Sequence, residues 1–299
     1  MTVEPADNRV APNDSWTVKR VLDWTIQHLS NHGCDSPRLD SEILLAHARG
    51  CQRIELYTRY EDVLSDGERT TMRDLVQRRA NSEPVAYLVG RREFFGLDMR
   101  VTPDVLIPRP DTEMLVIEVL DVAKKFAAPR ILDLGSGSGC IAIAIAVNNR
   151  TSNLMASDIS TAALSVARQN ADDHDVAGHI EFIHSDLFTE IEGQAKFDMI
   201  VSNPPYVTQS ELAGLQPDVR LHEPVLALDG GQDGLDVIRR IVADAASYLT
   251  DGGTLLLEID SSQAQAVTEI IRSTQSYSEV SLRNDLAGRA RVIRTRKRI

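Results

Sequence analysis

The sequence predicts an α/β protein in which a mostly parallel sheet, covered by helices on both faces, follows a small helical bundle. Three observations indicate this fold. Apolar residues recur at helical spacing from position 15 to about position 90, strand and helix patterns alternate from Leu115 onward, and two β-like runs at the C-terminus are separated by only three residues. Alternating strands and helices are typical of a parallel sheet whose crossovers are helical.

Three helices are predicted in the N-terminal part. The first carries its apolar residues at helical spacing over positions 18–29 and stops at Gly33. The second starts at Pro37, a residue that suits the first position of a helix. The third starts at Ser65, where Glu68 completes a capping box. These patterns predict a helical domain.

A β-hairpin is predicted after these helices, because the runs EFFGLDMRV and DVLI are interrupted by Gly96 and Pro103. We place the domain junction there. The predicted organisation is a disordered tail over 1–14, a helical domain over 15–90, a hairpin linker over 91–107 and the α/β domain over 108–299. Within the last, SEVSLRND and RARVIRTR are expected to form an antiparallel hairpin at the sheet edge. The other predicted strands cover residues 130–134, 153–157, 179–184, 197–202 and 254–259.

Composition excludes several classes of protein. Hydrophobic residues make up 42% of the 299 residues and charged residues 25%, as in ordinary globular proteins. The net charge of −12 disfavours stand-alone binding of nucleic acid. Cys34, Cys51 and Cys140 lack C-x-x-C spacing, which argues against a zinc site or a disulfide framework. We therefore expect a monomeric cytoplasmic protein with no metal site, no membrane segment and no direct nucleic-acid partner.

A glycine-rich turn follows the first predicted strand of the α/β domain. In ILDLGSGSGC, Gly135, Gly137 and Gly139 alternate with Ser136 and Ser138. Glycines allow a sharp turn and a close approach of main-chain N–H groups to a ligand at a helix start. The dinucleotide-binding fingerprint G-x-G-x-x-G is not matched, because Cys140 occupies the position of its last glycine. A nucleotide-like ligand other than a dinucleotide is expected.

Carboxylates stand at three successive strand ends around this turn. Asp133 lies within the first strand, Asp158 ends the second and Asp186 follows the third, in HSDLF. Asp158 is placed to accept hydrogen bonds from ribose hydroxyls, and Asp186 could meet an adenine amino group. An acidic site is hostile to a pyrophosphate and compatible with a cationic sulfonium. The pattern therefore favours S-adenosyl-L-methionine, with S-adenosyl-L-homocysteine as product.

The segment VSNPPYV ends the fourth predicted strand with Asn203, Pro204, Pro205 and Tyr206. The two prolines stop the strand and make the segment rigid. The Asn203 side-chain oxygen and the Pro204 carbonyl are two acceptors that can hold one –NH₂ group. Such a grip would aim a weakly nucleophilic amide or adenine nitrogen at a methyl donor, with Tyr206 packed on the planar substrate group. We predict these four residues as catalytic.

The motifs DLGSGSG and NPPY, together with EPVAYLVGRREFFGL, LIPRPDTE and HEPVLALDGGQDGL, resemble those of the bacterial-type glutamine methyltransferases of peptide chain release factors, the HemK or PrmC family. The resemblance covers residues 15–299. It implies a helical N-terminal domain that docks the substrate, a hairpin linker and a seven-stranded Rossmann-like class I methyltransferase domain. It also implies methylation of the glutamine in the Gly-Gly-Gln motif of class I release factors, which tunes translation termination.

Carried over by motif, the resemblance implies cofactor contacts by the loop 135–139, Asp158, Leu187 and Asn203, and a grip on the glutamine by residues 203–206. The sequence departs from the family at Leu187, where relatives have an aromatic residue, and in EIDSSQAQ, where E-x-G-x-x-Q is usual. In LIPRPDTE, Arg109 and Glu113 are expected either to brace the crevice rim or to form a Pro-shaped entry to a helix.

Three alternatives remain at this point. A related family methylates a glutamine of a large-subunit ribosomal protein, and IPRPDTE favours the release-factor family over it. Adenine amino methylation also uses N-P-P-Y, but the acidic charge argues against a nucleic-acid substrate. The third alternative is a non-catalytic module that binds adenosylmethionine, and the presence of Asn203 and Tyr206 argues against it.

Overall fold

The computed structural model describes residues 15–191, 193, 195–285 and 287–299. The predicted tail over 1–14 lies outside these residues. The chain divides into two compact units, with the boundary between Val89 and Gly90. Within the described residues, no helix combines the length and the apolar character needed to cross a membrane.

The first unit is helical. Its helices are α1 (Val18–Asn31), α2 (Pro37–Arg49), α3 (Arg53–Thr58), α4 (Asp66–Ala80) and α5 (Val85–Val89). The three predicted helices correspond to α1, α2 and α4, whereas the short α3 and α5 were not predicted. Ser65 and Glu68 form the predicted capping box of α4. Leucines from α1, α2, α3 and α4 fill one core, with side chains that are almost completely buried.

The second unit begins with the hairpin β1 (Arg91–Phe94) and β2 (Leu97–Arg100), which pair in antiparallel fashion. The rest of the unit alternates strands and helices. In chain order these are α6 (Glu113–Ala123), β3 (Arg130–Leu134), α7 (Cys140–Asn148), β4 (Asn153–Asp158), α8 (Thr161–Asp173), β5 (Ile180–His184), β6 (Phe197–Ser202), α9 (Gln209–Leu212), α10 (Pro217–His222), α11 (Asp236–Tyr248), β7 (Leu249–Glu258), α12 (Ala264–Ser273), β8 (Tyr277–Asn284) and β9 (Ala290–Lys297).

The described strands β3 to β9 form one seven-stranded sheet in the order β5-β4-β3-β6-β7-β9-β8. The pairs from β5 to β7 are parallel, and β9 pairs antiparallel with both β7 and β8. The predicted α/β fold class is therefore confirmed, including the C-terminal hairpin at the edge. β7 begins before the predicted residue 254, because its register against β6 shifts and accommodates the Gly252-Gly253 pair inside a strand.

Alternate residues of the central strands face two different cores. Ile131 packs with α6, α7 and the hairpin, whereas Leu132 packs with α11 and α12. Strand side chains point to opposite faces with period two, so a sheet covered on both faces needs near-continuous apolar strands. The runs ILDL and MIVS satisfy this requirement. In the order β4-β3-β6, successive strands are added on one side of β3 and then on the other, so the topological switch point lies between β3 and β6. Ligands bind at such switch points in doubly wound folds.

Asn170 on α8 connects the hairpin to the glycine-rich turn. Its side-chain oxygen accepts from the Arg100 backbone N–H at 2.7 Å, and its amide nitrogen donates to the carbonyls of Arg100 at 3.1 Å and Ser138 at 2.9 Å. The side chain is completely buried. One asparagine thus satisfies three backbone groups that belong to two separate segments.

We expect Asn170→Ala to lower the free energy of unfolding by about 2–3 kcal/mol, because it leaves buried backbone groups without partners. Chemical denaturation monitored by circular dichroism measures this change. Asn148→Ala is the matched control, since Asn148 is exposed and its side chain donates to the Ala144 carbonyl within its own helix. An equal effect of the two substitutions would contradict the role assigned to Asn170.

Candidate active site

A crevice of about 270 Å³ lies at the carboxyl ends of β3, β4, β5 and β6. This volume is close to the lower end of the range of roughly 300–1,000 Å³ that is usual for small-molecule sites. The crevice brings together residues from separate segments of the second unit, including the stretch after the hairpin, the glycine-rich turn and the end of β6. Ten of the predicted site residues line it: Gly135, Ser136, Gly137, Ser138, Asp158, Asp186, Leu187, Asn203, Pro204 and Pro205. Asp133, Gly139 and Tyr206 lie behind this lining.

The glycine-rich turn has a backbone that only glycine adopts at low cost. Gly135, Gly137 and Gly139 have φ angles of +70°, +53° and +79°. A side chain on Gly139 would also meet Ala167 and Ile143 at 3.0 Å, whereas the space beside Gly135 and Gly137 is open. The turn therefore packs closely against α7 and α8 on one side and leaves room for a ligand on the other.

Asp158, at the end of β4, stabilises the glycine-rich turn through hydrogen bonds. One carboxylate oxygen accepts from the Gly137 N–H and the other from the Ser160 N–H, each at 2.8 Å. Burial raises the pKa of Asp158, and these amide donors oppose that shift. Each oxygen retains a lone pair, so the carboxylate can also accept hydrogen bonds from a diol in the crevice.

Asp133 is a buried carboxyl group beneath the turn. It is completely inaccessible, and neither carboxylate oxygen forms a hydrogen bond of normal geometry within the described residues. The pKa of Asp133 is raised to about 7, chiefly by burial and also by the charge of Asp158, against the opposing effect of the nearby Ala142 amide. Its effect on a ligand would be electrostatic, because the side chain does not reach the crevice.

Asp186 and Leu187 form the rim beyond β5. Asp186 is half exposed and accepts a hydrogen bond from Arg240 of α11 at 2.8 Å. An adenine amino group would share this carboxylate with Arg240, a partner that the sequence did not predict. Leu187 has a φ of +52° and its side chain packs partly against the core under α11. It presents an apolar surface to the crevice.

Asn203 is oriented by a neighbour 91 residues away in sequence. Its side-chain nitrogen donates to the Thr112 hydroxyl at 3.1 Å. The nitrogen is thus engaged by Thr112, which also lines the crevice, and the side-chain oxygen is left as an acceptor. A neutral acceptor at this position can bind an N–H group of a substrate.

The backbone after Asn203 is held by a second loop. The Tyr206 carbonyl accepts from Gln263 at 3.0 Å, and Val207 exchanges backbone hydrogen bonds with the segment 228–230. Gly234 approaches so closely that a side chain there would lie 2.4 Å from the Tyr206 oxygen. Burial raises the pKa of Tyr206 to about 12, so its hydroxyl stays protonated. The packing of Tyr206 on a substrate remains a prediction.

The rim opposite the glycine-rich turn is fixed by an ion pair. Arg109 donates to Glu223 at 2.5 Å, and the other Glu223 oxygen accepts from the Ile107 N–H at 3.1 Å. The Glu223 side chain is 1% exposed. Glu113 instead accepts from the Phe95 N–H of the hairpin. Arg109 therefore does brace the rim, but through Glu223 of the motif HEPVLALDGGQDGL.

Several residues that shape the site were missed from the sequence. Thr112, Asn170 and Gln263 are buried and polar, and each hydrogen-bonds to Asn203, the glycine-rich turn or Tyr206 from a distant part of the chain. Glu258 is also buried and raises the pKa of Tyr206 through its charge. The only signal was the E-x-x-x-x-Q pattern of Glu258 and Gln263. Asp260, which replaces the usual glycine between them, has a φ of −70° and caps the following turn, so no glycine is needed there. No group of three metal-ligating side chains occurs in the part of the chain that is described.

Comparison with known proteins supports a methyltransferase. A family described as the PrmC N-terminal domain matches residues 20–90, and one described as the methyltransferase small domain matches residues 111–216. Among solved structures, the catalytic domain of hMettl16 in complex with an RNA hairpin of the MAT2A 3′UTR is similar with a TM-score of 0.56. It is 18% identical and covers 73% of this chain and 83% of that chain. This likeness shows the fold alone.

Similar curated proteins are more informative, because they match almost the whole chain. A release factor glutamine methyltransferase of Rhodopirellula baltica is 44% identical over 95% of this chain and 98% of the relative. A release factor glutamine methyltransferase of Koribacter versatilis is 40% identical over 94% of this chain and 99% of the relative. Another, of Geobacter sulfurreducens, is 44% identical over 87% of this chain and 89% of the relative. The resemblance noted from the motifs is confirmed, and the chain belongs to the release factor glutamine methyltransferase family.

Proposed function

We propose that this chain transfers a methyl group from S-adenosyl-L-methionine to the side-chain amide nitrogen of the glutamine in the Gly-Gly-Gln motif of class I peptide chain release factors. The observation that carries the proposal is the position of Asn203, whose nitrogen is engaged by Thr112 and whose oxygen is left for a substrate N–H. The names of the relatives supply the substrate.

The crevice fits adenosylmethionine in three respects. The space beside Gly135 and Gly137 is open, Asp158 has lone pairs left for ribose hydroxyls, and Leu187 offers an apolar surface to a base. Asp133 and Asp158 make the surroundings acidic, which suits a cationic sulfonium. The residues predicted for the cofactor are Asp133, the loop 135–139, Asp158, Asp186, Leu187 and Asn203.

The residues 203–206 would act by holding the glutamine amide. Bound adenosylmethionine supplies an electrophilic methyl group and leaves as adenosylhomocysteine. The Asn203 oxygen and the Pro204 carbonyl accept hydrogen bonds from the two N–H groups of the amide. These bonds orient the amide nitrogen toward the methyl group and stabilise the positive charge that develops on the nitrogen. The proton released from the methylated nitrogen passes to water. Pro204 and Pro205 keep both acceptors in place, since their φ angles are fixed.

The remaining parts of the proposal concern the surroundings. We assign substrate docking to the helical domain of residues 15–90, and propose a cytoplasmic monomer that does not bind nucleic acid directly. The net charge of −12 supports the last point. The relatives do not favour methylation of a ribosomal protein or of adenine, because they are named for release factors.

A methyl-transfer assay tests the proposal. The chain is incubated with labelled adenosylmethionine and, separately, with a class I release factor, the large-subunit ribosomal protein and DNA, and products are mapped by tandem mass spectrometry. We expect label on the glutamine of the Gly-Gly-Gln motif. Label confined to the ribosomal protein or DNA would refute the substrate. Binding of adenosylmethionine without transfer to any of them would indicate a non-catalytic module.

A further inference from the structure

The end of β7 supports residues 203–206, here called the NPPY segment, at two points. Gln263 lies just beyond the strand and donates to the Tyr206 carbonyl at 3.0 Å and the Gly234 carbonyl at 3.2 Å. Glu258 ends the strand and lies under the other end of the NPPY segment. Its side chain is buried, and Oε2 has no hydrogen-bond partner within the described residues.

Thr112 lies between Glu258 and Asn203. Its oxygen accepts from Asn203 Nδ2 at 3.1 Å, and its hydroxyl is near enough to the Glu258 carboxylate to lower the pKa of that group. The sheet register pairs Ser202 with Leu257 and so places Glu258 beside Asn203. Thr112 is 2% exposed, so water does not compete for these interactions. A hydroxyl has a single proton to donate. When that proton goes to Glu258, only lone pairs remain for Asn203, and the amide must present its nitrogen to Thr112.

We propose that Glu258, acting through Thr112, fixes the Asn203 amide with its oxygen available to the crevice and is thereby a positioning residue for methyl transfer. This inference rests on the proposed function, because it explains how the acceptor of that reaction is oriented. An asparagine amide is nearly symmetric in shape, so packing alone cannot choose between its two orientations. The direction of the hydrogen bonds behind it makes the choice.

The opposite orientation follows when Glu258 is protonated. The carboxylic acid can then donate to the Thr112 oxygen, and Thr112 can donate to the Asn203 oxygen. The amide turns over, and its –NH₂ group faces the N–H groups of the substrate. Two donors facing each other leave both unsatisfied, so this state does not hold the glutamine.

The charges around Glu258 come from several elements. The pKa of Glu258 is raised to about 7 because burial, with Asp111 in the turn next to Thr112, outweighs the opposing effects of the Thr112 hydroxyl, Arg291 of β9 and Arg109. Tyr206 and the Cys140 thiol also lie within electrostatic reach. The carboxylate is the form that orients Asn203 with its oxygen free. Methyl transfer should therefore be retained above pH 7 and lost as the pH falls through this value.

The test compares Thr112→Val, Thr112→Ser and Glu258→Gln with the wild type. Methylation of a class I release factor gives kcat and KM, calorimetry gives the Kd of adenosylhomocysteine, and thermal unfolding gives Tm. We expect Thr112→Val to lower kcat by about 10- to 100-fold, as misplacement of an aligned group does, with the Kd within about twofold of the wild type. Thr112→Ser restores the hydroxyl and should restore kcat. Glu258→Gln should lower kcat and remove the inflection near pH 7.

Thr295→Val is the matched control. Thr295 is 1% exposed on β9, and its hydroxyl donates to the Glu279 carbonyl at 2.6 Å. Strand β7 lies between β9 and β6, the strand that leads into the NPPY segment. We expect it to lower Tm about as much as Thr112→Val while kcat is unchanged. Wild-type kcat in Thr112→Val, or failure of Thr112→Ser to restore it at an unchanged Tm, would overturn the inference.

A second readout separates this inference from the proposed function. If the wild type methylates no release factor, the proposed function fails. The orientation of Asn203 is then decided by nuclear magnetic resonance of its side-chain amide. A protected Nδ2 proton that loses protection below pH 7 in the wild type, but behaves independently of pH in Glu258→Gln, supports the inference. An Asn203 amide that is exposed to exchange, at a rate with the same pH dependence in the wild type and in Glu258→Gln, overturns the inference.

Discussion

Asn203→Ala is expected to lower kcat for glutamine methylation by about 100- to 1,000-fold, the loss that follows removal of one preorganised hydrogen-bonding group at a reacting centre. The substitution removes the acceptor that Thr112 orients and leaves only the Pro204 carbonyl to hold the amide. Asn203 is only one of the residues predicted for the cofactor, and the glycine-rich turn and Asp158 are untouched, so the Kd of adenosylhomocysteine should stay within about threefold of the wild type. Radiolabel transfer and calorimetry measure the two quantities separately.

Asn153→Ala is the control for this prediction. Asn153 is exposed at the start of β4, at the opposite edge of the sheet from the crevice, and should tolerate the change without loss of kcat. Unchanged turnover in Asn203→Ala would remove Asn203 from the mechanism. A parallel loss of cofactor binding would show that the contribution of Asn203 to turnover comes mainly from its cofactor contact and not from its hold on the glutamine.

Asp158→Asn is expected to weaken binding of adenosylmethionine by about 30- to 100-fold, since a hydrogen bond to a charged group contributes about 1.5–3 kcal/mol. Both carboxylate oxygens accept from backbone N–H groups, Gly137 on one side and Ser160 on the other. An asparagine has one oxygen and must turn its –NH₂ group toward one of these donors. The turn is then displaced, and the negative charge opposite the sulfonium is lost. Calorimetric titration measures the Kd.

Asp121→Asn makes the same chemical change at an exposed site on α6, where Asp121 pairs with Lys124. It reports the effect of net charge alone, and we expect a Kd within about twofold of the wild type at physiological salt, because exposed pairs are well screened. A wild-type Kd in Asp158→Asn would exclude Asp158 from the cofactor site. Equal weakening in both variants would attribute the effect to overall charge.

The elements of the second unit could be predicted because each is encoded by neighbouring residues. The runs ILDL and MIVS are apolar except for Asp133 and Ser202, which is the near-continuous apolar pattern of strands covered on both faces, and the predicted bounds of the two strands coincide with β3 and β6. The capping box of Ser65 and Glu68 likewise needs only three residues of separation. The bounds of β7 could not be predicted, because Gly252 and Gly253 are typical of a turn and only pairing with β6 makes the segment extended.

The partners inside the site could not be predicted. Arg109 binds Glu223, 114 residues away, and Asn203 binds Thr112, 91 residues away. Motif spacing indicated that Arg109 and Asn203 are near the crevice, but it did not indicate which side chains face them. Asp186 similarly meets Arg240, which no local pattern suggested. Such pairs depend on which helix packs on which face of the sheet.

The sequence by itself determined the order of strands and helices, the glycine-rich turn and the rigid NPPY segment, because periodicity, glycine and proline act on the backbone over a few residues. Only the tertiary structure decided the direction of the hydrogen bonds that orient the functional groups. The hydrogen bond from Asn203 to Thr112 joins the end of β6 to the turn before α6, and Glu258 of β7 lies near Thr112. The hydrogen-bond partner of a buried polar group is the residue that strand register and helix packing place beside it. The identity of that partner can therefore be read only from the packed structure.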